Sequence, residues 1–320
     1  MSRKLEIVMY HYVRDLKNSR YSEIKGLDSR LFRQQLNYFQ QNYHFISTEQ
    51  ILTALEQNGP IEQNAILLSF DDGYSDHYNT VFPLFMQNDI KGLFAMPAKI
   101  LKEQKMLDVN RIHFILASTP IEKIKEMIFS QLNHYRGAEY ILPDNDEIYH
   151  RLAIASRFDA ADTIFVKRLL QNYLEESLRN KITDHLFQEL VSDNEKAFVS
   201  ELYLSWDQIK LMKKCGMFFA LHGYEHYWFD KLSEKEYKQD VQKALEVFDG
   251  IIDPQRWVFC YPYGATQPGL LEYCSANGCV AGVTTEPRAA DLDQDSPLLL
   301  PRFDTNDYPP KAAIPKSKLR

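Results

Sequence analysis

The chain has 320 residues, of which 45% are hydrophobic and 25% charged. This is globular composition, with room for one large α/β domain or two ordinary ones. A net charge of −7 at pH 7 argues against nucleic acid as a partner, because phosphate binding needs concentrated Lys and Arg.

Residues 1–10 are charged and interrupted by Glu6, unlike a secretion signal, and no apolar stretch is long enough to span a membrane. The cysteines (Cys215, Cys260, Cys274, Cys279) form no CxxC pair. Reduced thiols, a cytoplasmic location and no stable membrane insertion are expected.

Residues 5–12 have the composition of a first strand, with His11 at its end. Ser29 caps a helix over 30–42, and Ser47-Thr48-Glu49-Gln50 is a capping box opening another over 48–58. The run Ala65-Ile66-Leu67-Leu68 predicts a buried strand. It ends in Ser69-Phe70-Asp71-Asp72-Gly73-Tyr74, a turn leading into a helix. The next strand is expected over 91–96. Strand, helix, strand at this spacing means βα units and parallel strands. Residues 101–200 break that rhythm, with helices over 110–117, 121–133, 162–179 and 182–191 and a loop around Pro143-Asp144-Asn145-Asp146. They are expected to be a helical insertion in a single domain spanning 1–320. The rhythm then returns, with helices over 205–215, 234–248 and 268–277 and strands over 217–221, 257–261, 279–283 and 298–303.

Three strand ends carry chemistry. Asp71 and Asp72 are adjacent carboxylates, which repel unless a cation or proton separates them. One is expected on a metal and the other free to move protons; Asp-Asp-Gly also makes a plain surface turn. In His222-Gly223-Tyr224-Glu225-His226 two histidines stand four apart, so both imidazoles can point one way. Two His, one carboxylate and an open position are the usual composition of a catalytic zinc site. In Pro262-Tyr263-Gly264 the Pro fixes the backbone and the Gly permits close approach, so a backbone N–H held there can stabilise an oxyanion.

At these segments the sequence resembles the polysaccharide deacetylase family (carbohydrate esterase family 4). Its first motif, [ST]-F-D-D-G, is matched by Ser69-Phe70-Asp71-Asp72-Gly73, its H-x-x-x-H by His222 and His226, and its P-[YF]-G by Pro262-Tyr263-Gly264. The resemblance covers about 5–100 and 200–305. It implies a distorted (β/α) barrel of about seven strands, interrupted here by the insertion at about 101–200. It also implies hydrolysis of acetyl groups on sugars with a divalent metal, zinc above others. By position, Asp72, His222 and His226 are the implied ligands, Asp71 the base, and the Tyr263 N–H the oxyanion donor.

Two departures stand out. Cys260 occupies a place where the family often has an Arg that orients the base. Leu300-Pro301-Arg302 stands where the family often has Leu-x-His, the source of the acid. Arg cannot donate a proton as His can; Arg302 is expected to neutralise Asp71 or to grip an anionic substrate group. His11 is the leading candidate acid, and His77 a weaker one. Asp304 and Asp307 read equally as sugar-binding or turn residues. Of the tryptophans, only Trp228, two residues beyond His226, is placed to stack on a sugar.

The expected function is removal of an acetyl group from a sugar or sugar conjugate, a precursor in surface-glycan synthesis. The alternatives are cleavage of a non-sugar amide or imide C–N bond, and a catalytically silent carbohydrate-binding protein. The oligomeric state is not legible.

Overall fold

A computed structural model describes residues 3–156 and 159–312. Its main sheet, among these residues, has nine strands: β1 (Lys4–Tyr10), β2 (His44–Phe45), β3 (Ala65–Phe70), β4 (Leu93–Met96), β5 (Phe218–Leu221), β6 (Trp257–Cys260), β7 (Cys279–Val283), β8 (Ala290–Asp291) and β9 (Phe303–Asp304). Six neighbours run in the order β1-β3-β4-β5-β6-β7, all parallel. The connections carry helices α1 (Ser29–Asn42), α2 (Thr48–Gln57), α3 (Phe82–Gln87), α4 (Ala98–Glu103), α5 (Trp206–Lys214), α6 (Glu234–Val247) and α7 (Pro268–Ala276).

The sheet curls. Alternate residues from well-separated strands, Leu5 and Ile7, Leu67, Leu93 and Ala95, Ala220, Val258 and Cys260, Ala281 and Val283, all enter one apolar cluster. A flat sheet could not bring β1 and β7 side chains together. Closure is irregular. Antiparallel β8 covers one end of β1, parallel β9 pairs Val8 with Phe303, and Leu300 bridges to Val283 of β7. This is the expected distorted (β/α) barrel.

The outer face is built differently. Tyr10, Phe70, Phe94 and Phe219 occupy one register across β1, β3, β4 and β5. Their rings lie 5.0, 5.0 and 5.9 Å apart in succession. Phe32 of α1 and Phe85 of α3 cover them edge-on. Inner apolar column and outer aromatic row together fix the register.

The chain divides into two compact units, one of 1–15, 26–105 and 199–320 that contains the barrel, the other of 16–25 and 106–198. The second is helical, with helices Asp108–Ser118, Ile121–Tyr135, Asn145–Leu152, Ala161–Arg168 and Glu176–Leu190. Its core includes Ile112, Phe114, Ile128, Phe165 and Leu186, and Tyr21 meets Phe114 edge-on at 5.0 Å. Residues 16–25 carry no periodicity to reveal that they join it.

Three local expectations are corrected. The helix expected over 162–179 breaks at extended Leu174 and restarts at Glu176, with no Gly or Pro to signal it. The loop at 143–146 opens a helix, since the Asp144 side chain accepts from Glu147 N–H, a cap the Asp-x-x-Glu spacing carries. The strand expected over 298–303 shrinks to β9: Ser296 and Pro297 start a 3-10 turn, and Pro301 has no N–H for a ladder.

Candidate active site

Two of the barrel's inner columns run from apolar to polar toward their C-terminal ends. Ala65-Leu67 continues to Ser69 and Asp71, and Ala220 to His222. The Asp71 N–H still bonds to Tyr10 O at 2.9 Å, so the ladder holds it. One residue on, Asp72 has φ 71° and Gly73 φ 67°, which turns the chain sharply. A Cβ on Gly73 would lie 2.4 Å from Met96 Cγ, so the turn tolerates no side chain there. Asp72, His226 and Tyr263 are all non-glycine residues at positive φ; strain of this kind collects at functional sites.

Asp71 and Asp72 are both buried but have different partners. Arg302 holds Asp71 bidentately, Nη1 to Oδ1 at 2.9 Å and Nη2 to Oδ2 at 2.8 Å. Its Nε donates to Thr284 O at 2.8 Å and Nη1 also to Ser69 Oγ at 3.2 Å. Every guanidinium nitrogen is engaged and Arg302 is buried, so neutralising Asp71 is its role and gripping an anionic substrate is not. Burial opposes the Asp71 charge most strongly, but the Arg302 cation, together with His222 and His11, outweighs it and holds the carboxyl below its ordinary value.

Asp72 instead faces the histidines. Its Oδ1 lies 3.4 Å from His222 Nε2 and 3.3 Å from His226 Nε2. The three ligand atoms lie within 4.8 Å of one another. His222 Nδ1 is 2.5 Å from Cys260 O. A carbonyl only accepts, so Nδ1 carries the proton and Nε2 of the neutral ring presents a lone pair. Asp72 Oδ2 is taken by the Tyr74 hydroxyl, which donates at 2.6 Å, while buried Oδ1 has no geometric hydrogen-bond partner. Lone pairs thus converge beside an unsatisfied carboxylate oxygen, and the donor set fits a divalent cation. The two carboxylates draw positive charge to the cluster: burial disfavours the His222 charge, yet Asp72 and Asp71 push its pKa up, whereas burial prevails at His226 and lowers it.

The His222–His226 loop is pinned from two sides. The first N–H groups of α4, Ala98 and Lys99, donate to Gly223 O and Tyr224 O, satisfying the helix's orphan donors. On α6, Asp240 accepts from Tyr224 N–H at 2.7 Å and Glu225 N–H at 2.9 Å. A Cβ on Gly223, at φ +72°, would come 2.9 Å from Asp240 Oδ1, so only glycine lets this carboxylate approach. Burial pushes Asp240 up to about 6, against the two N–H groups. Sequence reasoning missed Asp240. Its signal is an acid on the apolar stripe Tyr237, Asp240, Val241, Ala244.

Tyr263, at φ 58°, packs its ring on His226 with centroids 4.8 Å apart. His11 is partly exposed and lies within electrostatic reach of both Asp71 and Asp72. His77 is fully buried, with Nε2 2.9 Å from His11 O, and burial lowers its pKa to about 4. At neutral pH it is uncharged and holds no proton to spare. Asp304 and Asp307 are turn residues: Asp304 accepts from Asn306 N–H and Asp307 from Asp304 N–H.

Fold and triad define a (β/α) barrel that carries, at the C-terminal ends of its strands, an Asp–His–His cluster whose donor set fits a divalent cation. The chain is similar in sequence to polysaccharide deacetylases. A family model described as polysaccharide deacetylase matches residues 150–281, taking in His222, His226 and Pro262-Tyr263-Gly264. A Bacillus subtilis (strain 168) protein named "Putative polysaccharide deacetylase YxkH" is 28% identical over 92 residues, 29% of this chain and 33% of that protein; the match thus spans about a third of the relative's length. The Streptococcus pyogenes deacetylase PplD, solved in complex with acetate, shares the fold with TM-score 0.58 at 17% identity, over 100% of this chain and 98% of its own. IcaB from Ammonifex degensii does so at TM-score 0.55 and 18% identity, over 95% and 93%.

Proposed function

We propose that this protein is a metal-dependent hydrolase that removes an acetyl group from an acetylated sugar, with zinc as its ion and a surface-glycan precursor as its substrate. The observation that carries the reading is the division of labour at Asp71-Asp72: one carboxylate converges with the Nε2 atoms of two histidines, while its neighbour is held ionised beside it.

Asp72, His222 and His226 would hold a divalent ion, which when bound would supply Lewis acidity to the acyl oxygen and to water. Asp71 accepts the proton of the attacking water. Arg302 keeps Asp71 ionised and fixes its plane, at the expense of basicity, so the water must be acidified before so weak a base can take its proton. Each Asp71 oxygen accepts one N–H from Arg302 and keeps a lone pair for this task. The Tyr263 N–H stabilises the developing oxyanion. As the C–N bond breaks, His11 gives its proton to the departing amine, leaving acetate and the free amino sugar. A cytoplasmic location is part of the proposal, supported by four free thiols, three of them buried. Among the described residues no helix is long and apolar enough to cross a membrane.

The test is acetate release over a panel of N-acetylated sugars, nucleotide sugars and oligosaccharides, with Asp71→Asn as control. Acetate from the parent protein and a loss of about a hundredfold or more in the variant are expected. Metal-loaded protein that releases acetate from none would favour a non-sugar amide or a silent binding role.

A further inference from the structure

We infer that Trp228 and Tyr263 form an aromatic wall on which a pyranose ring lies while its acetyl group reaches the Asp72–His222–His226 cluster. The inference rests on reading that cluster as a sugar deacetylase site and assigns the sugar a binding face. Trp228 stacks on Tyr263 with ring centroids 4.1 Å apart and planes within 3°. Tyr263 in turn meets His226 edge-on at 4.8 Å. A continuous aromatic path therefore leads from a metal ligand outward to Trp228.

The outer end of that path is open. Trp228 is 40% exposed, a large apolar area for a side chain that already has a stacking partner. It is also rigidly held. Its neighbour Phe229 is fully buried and meets Phe259 edge-on at 5.2 Å. Gln267 Nε2 donates to both Phe229 O and Leu232 O, at 2.5 and 2.9 Å. One face of the Trp228 ring is covered by Tyr263, and 40% of the residue stays exposed. A pyranose has an apolar face of C–H groups and a polar rim of hydroxyls, which suits a flat indole whose edge stays wet. A rigid platform also orients the sugar at little entropic cost.

The test reads binding and turnover separately. Intact protein is titrated with an N-acetylglucosamine pentamer while tryptophan fluorescence is followed before turnover accumulates. Trp257 is buried and Trp206 half-buried, so the signal of covering Trp228 is read as the saturable change that the parent protein shows and Trp228→Phe lacks. Trp228→Ala should raise KM for acetate release about tenfold, with kcat changing less, and Trp228→Phe should recover most of that loss. No fluorescence change in the parent protein, a change that survives Trp228→Phe, or an unaltered KM in Trp228→Ala would each overturn the wall. Trp228-dependent binding with no acetate released would instead sink the deacetylase reading and leave the wall standing. Trp228 lies at the surface, so these variants should fold.

Discussion

Arg302 and Asp71 form a bidentate ion pair, both contacts under 3 Å and both side chains buried. The pair joins the residue before β9 to the end of β3, so it fastens the irregular closure of the barrel as well as the base. Breaking it leaves a desolvated carboxylate, which costs about 3–5 kcal/mol. In Arg302→Gln, burial, the largest influence on Asp71, is opposed only by the weaker His222 and His11, and the Asp71 pKa rises. The pH dependence then changes sign. With its pKa lowered, Asp71 contributes stability that is present above the ordinary aspartate value and lost as pH falls through the folded one. With its pKa raised, it contributes stability below that ordinary value, lost as pH climbs. Urea unfolding should therefore show Arg302→Gln crippled at pH 7 and less so near pH 4, and the acid limb of its activity profile should move upward. A uniform deficit across pH would contradict this account of the pair.

Asp240 should tune metal binding without touching the metal. An asparagine there keeps one acceptor and turns an NH2 toward the second N–H. Asp240→Asn should weaken metal affinity by about tenfold or more, with activity partly restored by excess metal. Equal affinity in competition with a chromophoric chelator would show that the loop holds its shape unaided.

His11 and His77 separate by leaving group. An amine departs only with a proton, whereas an aryl oxide leaves without one. Removal of a general acid should cost about 100-fold or more on an acetamide and much less on an aryl acetate. His11→Ala should show this split. Loss of His77, which is neutral and buried against Phe70 and Phe94, should appear as lower stability, with both substrates affected alike.

Much of this was legible in the sequence, because strand-end motifs survive without context: Ser69–Gly73, His222, His226 and Pro262–Gly264 name the Asp72–His222–His226 cluster and the segments around it. Arg302 was legible only as an anomaly, and its bond to Asp71 required the closure of β9 against β1. Asp240 and the stacking of Trp228 on Tyr263 were not foreseen, since each depends on how a loop settles on a distant element. The broken helix near Leu174 was hidden for the opposite reason: its residues suit a helix throughout.

The central claim is that the Asp72–His222–His226 cluster holds the ion on which acetate release depends. The direct measurement is acetate release from an N-acetylated oligosaccharide by chelator-stripped protein, as zinc is returned and the bound ion counted. Activity should be absent from stripped protein and return in proportion to zinc, saturating near one ion per chain, while His222→Ala neither retains zinc nor recovers activity. Full activity in stripped protein, or in His222→Ala without bound metal, would contradict the account.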